Sequence, residues 1–294
     1  MGVIMKIMSF NLKDSIFDNL TFRWLYRYRK ILKYILSVNP DVIGTQELTH
    51  SGRRYLMKRL TNYNIYGDSR KSNIFNDEYN SIIIKRSYKV RKFSTYSLSD
   101  DKNRLGTRGE FDNFPRICVV VHCEKNGTKY LIVNTHIDNS NDRSNRRRLL
   151  TIVNDIIREE KSKDELLIVT GDFNMTLNNN IEKFVSDNKL INVFEDYKKS
   201  TFPSRPEMRM IDYIMVDKKL KVKSYSVGDC NMSDHLPIIC NISGWLGFNL
   251  CINDTQKRML SVQKYSFFWL IFWVCYNINC SRSEFYAEIQ EIFF

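Results

Sequence analysis

The chain has seven cysteines, but no two of them stand at C-x-x-C spacing. The odd count and the scattered positions (Cys118, Cys123, Cys230, Cys240, Cys251, Cys275 and Cys280) argue against a disulfide framework and against a zinc site. A reducing, cytoplasmic location fits that usage best. Histidine is scarce as well: His50, His122, His136 and His235 are all there are. Residues 3–8 are interrupted by Lys6 and lack a cleavage-site pattern, so no secretory leader is expected. Lys6 also stands where a myristoylation motif after Gly2 has Ser or Thr, which argues against that anchor. The apolar tract 267–276 is ten residues long, whereas a spanning helix needs about 20. It leaves open an interfacial anchor giving peripheral membrane contact, a partner-binding segment, a buried extra element or a non-native extension. There is no internal repeat and no low-complexity segment.

What is present is enough for one large domain or two small ones: 294 residues, 43% of them apolar. The net charge is +12 and the pI about 9.3. Such a balance suggests a polyanionic partner, nucleic acid or an anionic lipid surface. Residues 246–294 hold four basic and four acidic side chains, so the excess belongs to the first 245 residues. No protein partner and no oligomeric state is indicated.

Helical and extended patterns alternate along the chain. Strands are expected at 3–11, 41–47, 81–85, 116–123, 130–136, 166–169 (broken by Gly171, with Asp172 and Asn174 following at its end), 210–216 and 238–242. Helices are expected at 22–38, about 52–60, and 144–158 with Ser144 as cap, with a short one around Ile181, Phe184 and Val185. Asn126-Gly127 predicts a hairpin, so the sheet arrangement is mixed, within a layered α/β architecture. Loops at 67–80 and 97–114 are expected to line a cleft. From Trp245 the alternating order is lost, which sets a boundary: 1–244 as one domain and 245–294 as an aromatic-rich tail of unknown role.

Polar residues gather at strand ends: Asn11, Glu47, His136, Asp172 and Asn174, with Asp212 inside a late strand and Asp234-His235 before the last one. In extended geometry Asp172 and Asn174 would point the same way. Carboxylates and carboxamides without clustered Cys are hard oxygen donors suited to Mg²⁺ or Mn²⁺. A metal with histidines and carboxylates is the equipment for attack of water on a phosphate ester. Arg116 could touch a substrate phosphate or form a structural ion pair. The run Arg143, Arg146, Arg147 and Arg148 could receive a nucleic-acid backbone or be a solvated face. His50 and His122 have no motif around them and are expected to be structural or surface residues.

Ser9-Phe-Asn-Leu12, Gln46-Glu47, Asn134-Thr-His136, Gly171-Asp-Phe-Asn174, Ile211-Asp-Tyr-Ile214 and Ser233-Asp-His235 occur in the order found in the endonuclease/exonuclease/phosphatase superfamily. The resemblance runs from about residue 5 to 242. Trp24-x-x-Arg27, Glu78-Tyr79 and Pro115-Arg-Ile-Cys118 further resemble a bacterial-type branch of small single-domain members. The resemblance implies a four-layered α/β sandwich, two packed mixed sheets flanked by helices. It implies a Mg²⁺-dependent phosphodiester hydrolase, a nuclease or a phosphatase of small or lipid phosphoesters. By that resemblance Glu47 is the principal metal ligand, with Asn11 and Asp234 near the metal. Asp172 orients or deprotonates the attacking water, and Asn174 helps to position it. His235 contacts the scissile phosphate and Asp212 orients His235. His136 is a second histidine beside the phosphate and a candidate leaving-group acid.

Overall fold

Strand β1 (Ile4–Asn11) carries the rule by which this fold makes both a core and a site. Successive residues of a strand take opposite faces. Met8 and Phe10 lie in a cluster under helices, while Met5 and Ile7 lie in the cluster between the two sheets. Ser9 and Asn11 continue the inward row, fully buried but polar. Apolar at one end and polar at the other, this inward row recurs on the neighbouring strands.

The computed structural model describes residues 4–13, 23–71, 78–140, 142–197, 199–202 and 209–244. The tail, its apolar tract 267–276 and loop residues 72–77 lie outside the described residues. Twelve strands form two six-stranded sheets. The first runs β11 (Leu220–Val227), β12 (Ile238–Gly244), β1, β2 (Val42–Thr49), β4 (Glu78–Lys85), β3 (Tyr63–Tyr66). The second runs β5 (Lys89–Ser97), β6 (Ile117–Lys125), β7 (Thr128–His136), β8 (Glu165–Asp172), β10 (Asp212–Asp217), β9 (Leu190–Asn192). Each is mixed: β1 with β2 and β7 with β8 are parallel, and every other pair is antiparallel. The Asn126-Gly127 hairpin joins β6 to β7, both turn residues having positive φ.

Helices α1 (Arg23–Val38) and α2 (His50–Arg59) cover the outer face of the first sheet through Tyr28, Ile31, Ile35, Tyr55 and Leu56. Helices α3 (Arg143–Glu160) and α4 (Asn179–Asp187) cover the second through Leu149, Val153, Ile156, Ile181 and Phe184. The result is the four-layered sandwich that the family resemblance implies. Four of the seven cysteines are described, all buried free thiols. The cap of α3 is Asp142, not Ser144: its carboxylate accepts from the amides of Ser144 and Asn145. A carboxylate suits the positive end of a helix.

Beneath the polar end the two sheets are stapled by hydrogen bonds. Asn134 Nδ2 donates to the Thr45 carbonyl at 2.8 Å, and Asn134 Oδ1 accepts from Gln46 Nε2 at 2.7 Å and Thr170 Oγ1 at 3.1 Å. Gly44 makes room for this: a Cβ there would come within 2.1 Å of Thr170 Oγ1 and 2.6 Å of Asn134 Oδ1. The motif residues Gln46 and Asn134 thus bond the sheets to each other.

Candidate active site

Register alone assembles half of the site. In the second sheet His136 on β7 is the cross-strand partner of Asp172 on β8, and Asp172 is the partner of Asp212 on β10. The three form one row, inward-facing and buried. Directly opposed side chains on adjacent strands are near neighbours, and here all three end the apolar rows of their strands.

The first sheet supplies the facing half. Asn11 Nδ2 donates at 3.0 Å to Glu47 Oε1 and at 3.0 Å to Asp172 Oδ2, bridging the sheets. Gln46 and Glu47 are consecutive, so a regular strand would send them to opposite faces. Instead the β2–β4 register shifts between Thr45 and Leu48, and Glu47 adopts φ 53°. A bulge with a left-handed residue re-aims a side chain, and here it brings Glu47 Oε1 to 4.0 Å from His136 Nε2. Holding a non-glycine residue there costs on the order of 1–3 kcal/mol, a cost typical of functional sites.

Asn174 reaches the site by the same device. It lies beyond the end of β8 with φ 49°, so a left-handed turn rather than strand alternation places it beside Asp172. Its amide N donates to Asp172 Oδ1 at 2.9 Å. Its Nδ2 lies 2.9 Å from the Ile137 carbonyl and 3.1 Å from His136 Nε2.

Both histidines approach Asp172 Oδ2, His136 Nε2 at 3.5 Å and His235 Nε2 at 3.6 Å. His235 Nδ1 lies 2.9 Å from Asp212 Oδ2. Burial opposes charge on His235, but Asp212 and Asp172 outweigh it and raise the imidazole to about 10. For His136, burial and then the Arg116 cation act together, bringing it down to about 4 against the pull of Asp172 and Glu47. At neutral pH one ring is cationic and the other neutral.

Asp234 stands apart from the other carboxylates: it is partly exposed and pairs with Lys13 Nζ at 3.2 Å. Its segment is nevertheless docked on the site, because Ser233 Oγ donates to the Asn11 carbonyl at 2.7 Å and accepts from the His235 amide at 3.2 Å. Arg116 lies behind His136, 5% exposed, with Nε 3.1 Å from Asp138 Oδ2 and Nη1 3.0 Å from His136 Nδ1. His50 faces Tyr79, and His122 sits between Glu160 and Glu165, both away from the site.

Sequence reasoning assigned no role to Asp138, Glu78, Phe202 or Arg27. Asp138, fully buried, accepts from the amides of Asn113, Phe114 and Ser140 as well as from Arg116. Its signal was the Asn134-x-His136-x-Asp138 alternation. Glu78 Oε1 lies 3.6 Å from His136 Nδ1. The Phe202 ring packs on His235, centroids 4.9 Å apart. From α1, Arg27 donates to the carbonyls of Leu12, Lys13 and Met232, tying together the two rim segments that carry Asn11 and His235.

The donor set is suited to a divalent cation. Among the described residues, atoms of Asp172, Asp212 and His235 lie within 4.8 Å of one another and could hold a metal ion. Carboxylate oxygens of Glu47 and Asp172 are bridged by Asn11 Nδ2, while Asn11 Oδ1 accepts from the Lys13 amide at 3.0 Å. Asp212 Oδ1 is buried with no hydrogen-bond partner among the described residues.

Solved structures of the same fold cover most of the chain. A mannosyl-6-phosphatase of Bacteroides thetaiotaomicron is 23% identical, with a TM-score of 0.72 over 81% of this chain and 99% of that one. D. rerio TDP2 complexed with a single-strand DNA product is 19% identical, with a TM-score of 0.64 over 82% and 99%. The human Nocturnin catalytic domain with bound sulfate is 20% identical, with a TM-score of 0.66 over 82% and 93%. No curated protein sequence matches the chain. Residues 10–235 match the sequence profile of the Endonuclease/Exonuclease/phosphatase family. That span holds every residue of the constellation just described, and the chain belongs to this family of phosphoesterase hydrolases.

Proposed function

We propose that residues 1–244 form a Mg²⁺-dependent phosphodiesterase that cleaves nucleic acid by in-line attack of water on the phosphate. The observation that carries the reading is the convergence of two imidazoles and a carboxamide on one buried carboxylate, with His136 Nε2 3.5 Å, His235 Nε2 3.6 Å and Asn11 Nδ2 3.0 Å from Asp172 Oδ2 between the sheets.

Glu47, with Asn11 and Asp234 nearby, would hold the cation, Mg²⁺ or Mn²⁺, which when bound offsets charge developing on the phosphate. Asp172 faces both sheets and accepts the proton of the attacking water. Asn174, fixed by the Ile137 carbonyl, positions that water. His235, charged and clamped through Nδ1 by Asp212, presents Nε2–H to the phosphate oxygens. His136, neutral at pH 7, serves as a hydrogen-bonding partner of the phosphate, which leaves His235 as the better proton donor. Arg116 acts on His136 from behind and does not touch the substrate.

Nucleic acid as substrate is supported by the +12 charge on the catalytic part of the chain and by the fold shared with TDP2 bound to a DNA product. The second reading is hydrolysis of a small or lipid phosphoester, supported by the fold shared with the mannosyl-6-phosphatase. The test is hydrolysis by the full chain with Mg²⁺, with and without EDTA. The substrates are single- and double-stranded DNA, RNA, a sugar phosphate, sphingomyelin, phosphoinositides and a generic phosphodiester. EDTA-sensitive cleavage of nucleic acid that weakens as salt rises supports the nuclease. Turnover of a lipid or sugar phosphate alone overturns it in favour of the second reading. Hydrolysis indifferent to EDTA removes the metal.

A further inference from the structure

The four arginines at the start of α3 do not share one task. Arg148 is committed to Asp112 Oδ2 at 2.9 Å and Asp100 Oδ1 at 3.3 Å. Arg147 is exposed. Arg143 and Arg146, one helical turn apart and so on one face, line a cavity of about 500 Å³.

Arg209, just before β10, lines the cavity from the other side, and the residues around Asn174 and the start of α4 complete it. Among the described residues its lining includes no acidic side chain. Arg146 is half-committed: Nη1 donates to the Asn174 carbonyl at 3.1 Å, while Nε is buried with no hydrogen-bond partner among the described residues. A buried donor without a partner asks for a ligand. Asn174 is the shared wall, with its carbonyl on Arg146 and its amide 3.1 Å from His136. The cavity therefore opens directly beside the catalytic constellation.

We propose that this cavity is a subsite for a second, non-scissile phosphate, that of the neighbouring nucleotide on the strand being cleaved. Three guanidinium groups, with no carboxylate among the described lining residues, suit a doubly hydrogen-bonded phosphate. The position, one residue away from the catalytic amide, suits a phosphate covalently linked to the one under attack. The inference rests on the nuclease reading.

The test separates binding from hydrolysis. A fluorescent single-stranded oligonucleotide is bound by the full chain in EDTA, and the salt dependence of the affinity is measured. Arg143→Gln combined with Arg209→Gln is expected to weaken binding at least about tenfold. It should also flatten the log–log salt slope by about 1.4, since each lost contact on a single strand removes about 0.7. Arg147→Gln removes one charge from the exposed face, half of what the double variant removes, and should change affinity by less than about twofold. Equal weakening in Arg147→Gln overturns the proposal, because the effect would then be diffuse charge. Unchanged binding in the double variant overturns it as well. Hydrolysis of a single-phosphate diester by the double variant should stay at the wild-type level, and a parallel loss there would make these arginines part of catalysis instead. A wild-type chain that binds the strand in this arginine-dependent way but cleaves only phosphomonoesters sinks the nuclease reading and leaves the phosphate subsite standing.

Discussion

His136 and His235 stand at nearly the same distance from Asp172, 3.5 and 3.6 Å, and are almost equally buried at 2% and 5% exposure. One is held neutral and the other charged. Burial lowers both, so burial cannot be the difference. The remaining neighbour decides: a guanidinium behind His136, a carboxylate behind His235. The site obtains two functional states from one side-chain type by choosing which charge stands at the back of each ring.

The largest expected effect comes from removing the back of the charged ring. Asp212→Asn should lower kcat by about 10²–10⁴-fold, the usual contribution of positioned acid–base groups. Histidine resonances of the metal-free protein should then show His235 titrating well below 10. A His235 pKa unmoved by the substitution would break the comparison. Next in size is Arg116→Met, which leaves Asp138 without the cation that pairs it, while Glu78 keeps Arg70. Breaking a buried pair in this way costs about 3–5 kcal/mol, readable by denaturant unfolding. His136 should rise from about 4 in the same variant.

Stability against pH sharpens the comparison further. His235, raised above its unfolded value of 6.5, contributes stability that is whole below pH 6.5 and is lost as pH rises through about 10. His136, lowered, contributes stability that is lost as pH falls from 6.5 through about 4. In EDTA the unfolding free energy should therefore decline on both sides of neutrality. Asp212→Asn should flatten the alkaline limb and Arg116→Met the acid limb. The smallest effect is expected at His122, which lies between Glu160 and Glu165 with both ring nitrogens engaged, yet outside the site. His122→Gln should cost about 1 kcal/mol and leave kcat unchanged. Any loss of turnover there would mean that carboxylate-flanked histidines matter through the fold at large.

The strands read from sequence are the interior ones. Those missed, β3, β5, β9 and β11, are the four outer strands of the two sheets. The reason is physical. An interior strand is buried on both faces and reads as an apolar run, whereas an edge strand such as Lys89–Ser97 or Leu220–Val227 carries lysines and exposed positions that protect a free edge. The site divides in a similar way. His136, Asp172 and Asp212 follow from strand parity, which a sequence displays. Glu47 and Asn174 depend on left-handed backbone at non-glycine positions. No periodicity announces that, and only their motifs pointed to them. Asp138 was visible as a third alternate polar residue but had no partner in the sequence to give it meaning.

The inward rows that turn from apolar to polar have a consequence for refolding. A slip of one residue in the pairing of β7, β8 or β10 would swing His136, Asp172 or Asp212 to the helix side of the sheet. It would also place apolar residues from the helix-facing row where the polar row belongs. A misregistered molecule could keep much of its sheet and most of its burial, but it would have no catalytic row. Specific activity after refolding therefore counts molecules in the correct register, and the shortfall between recovered sheet content and recovered turnover measures how often the strands pair one step out of place.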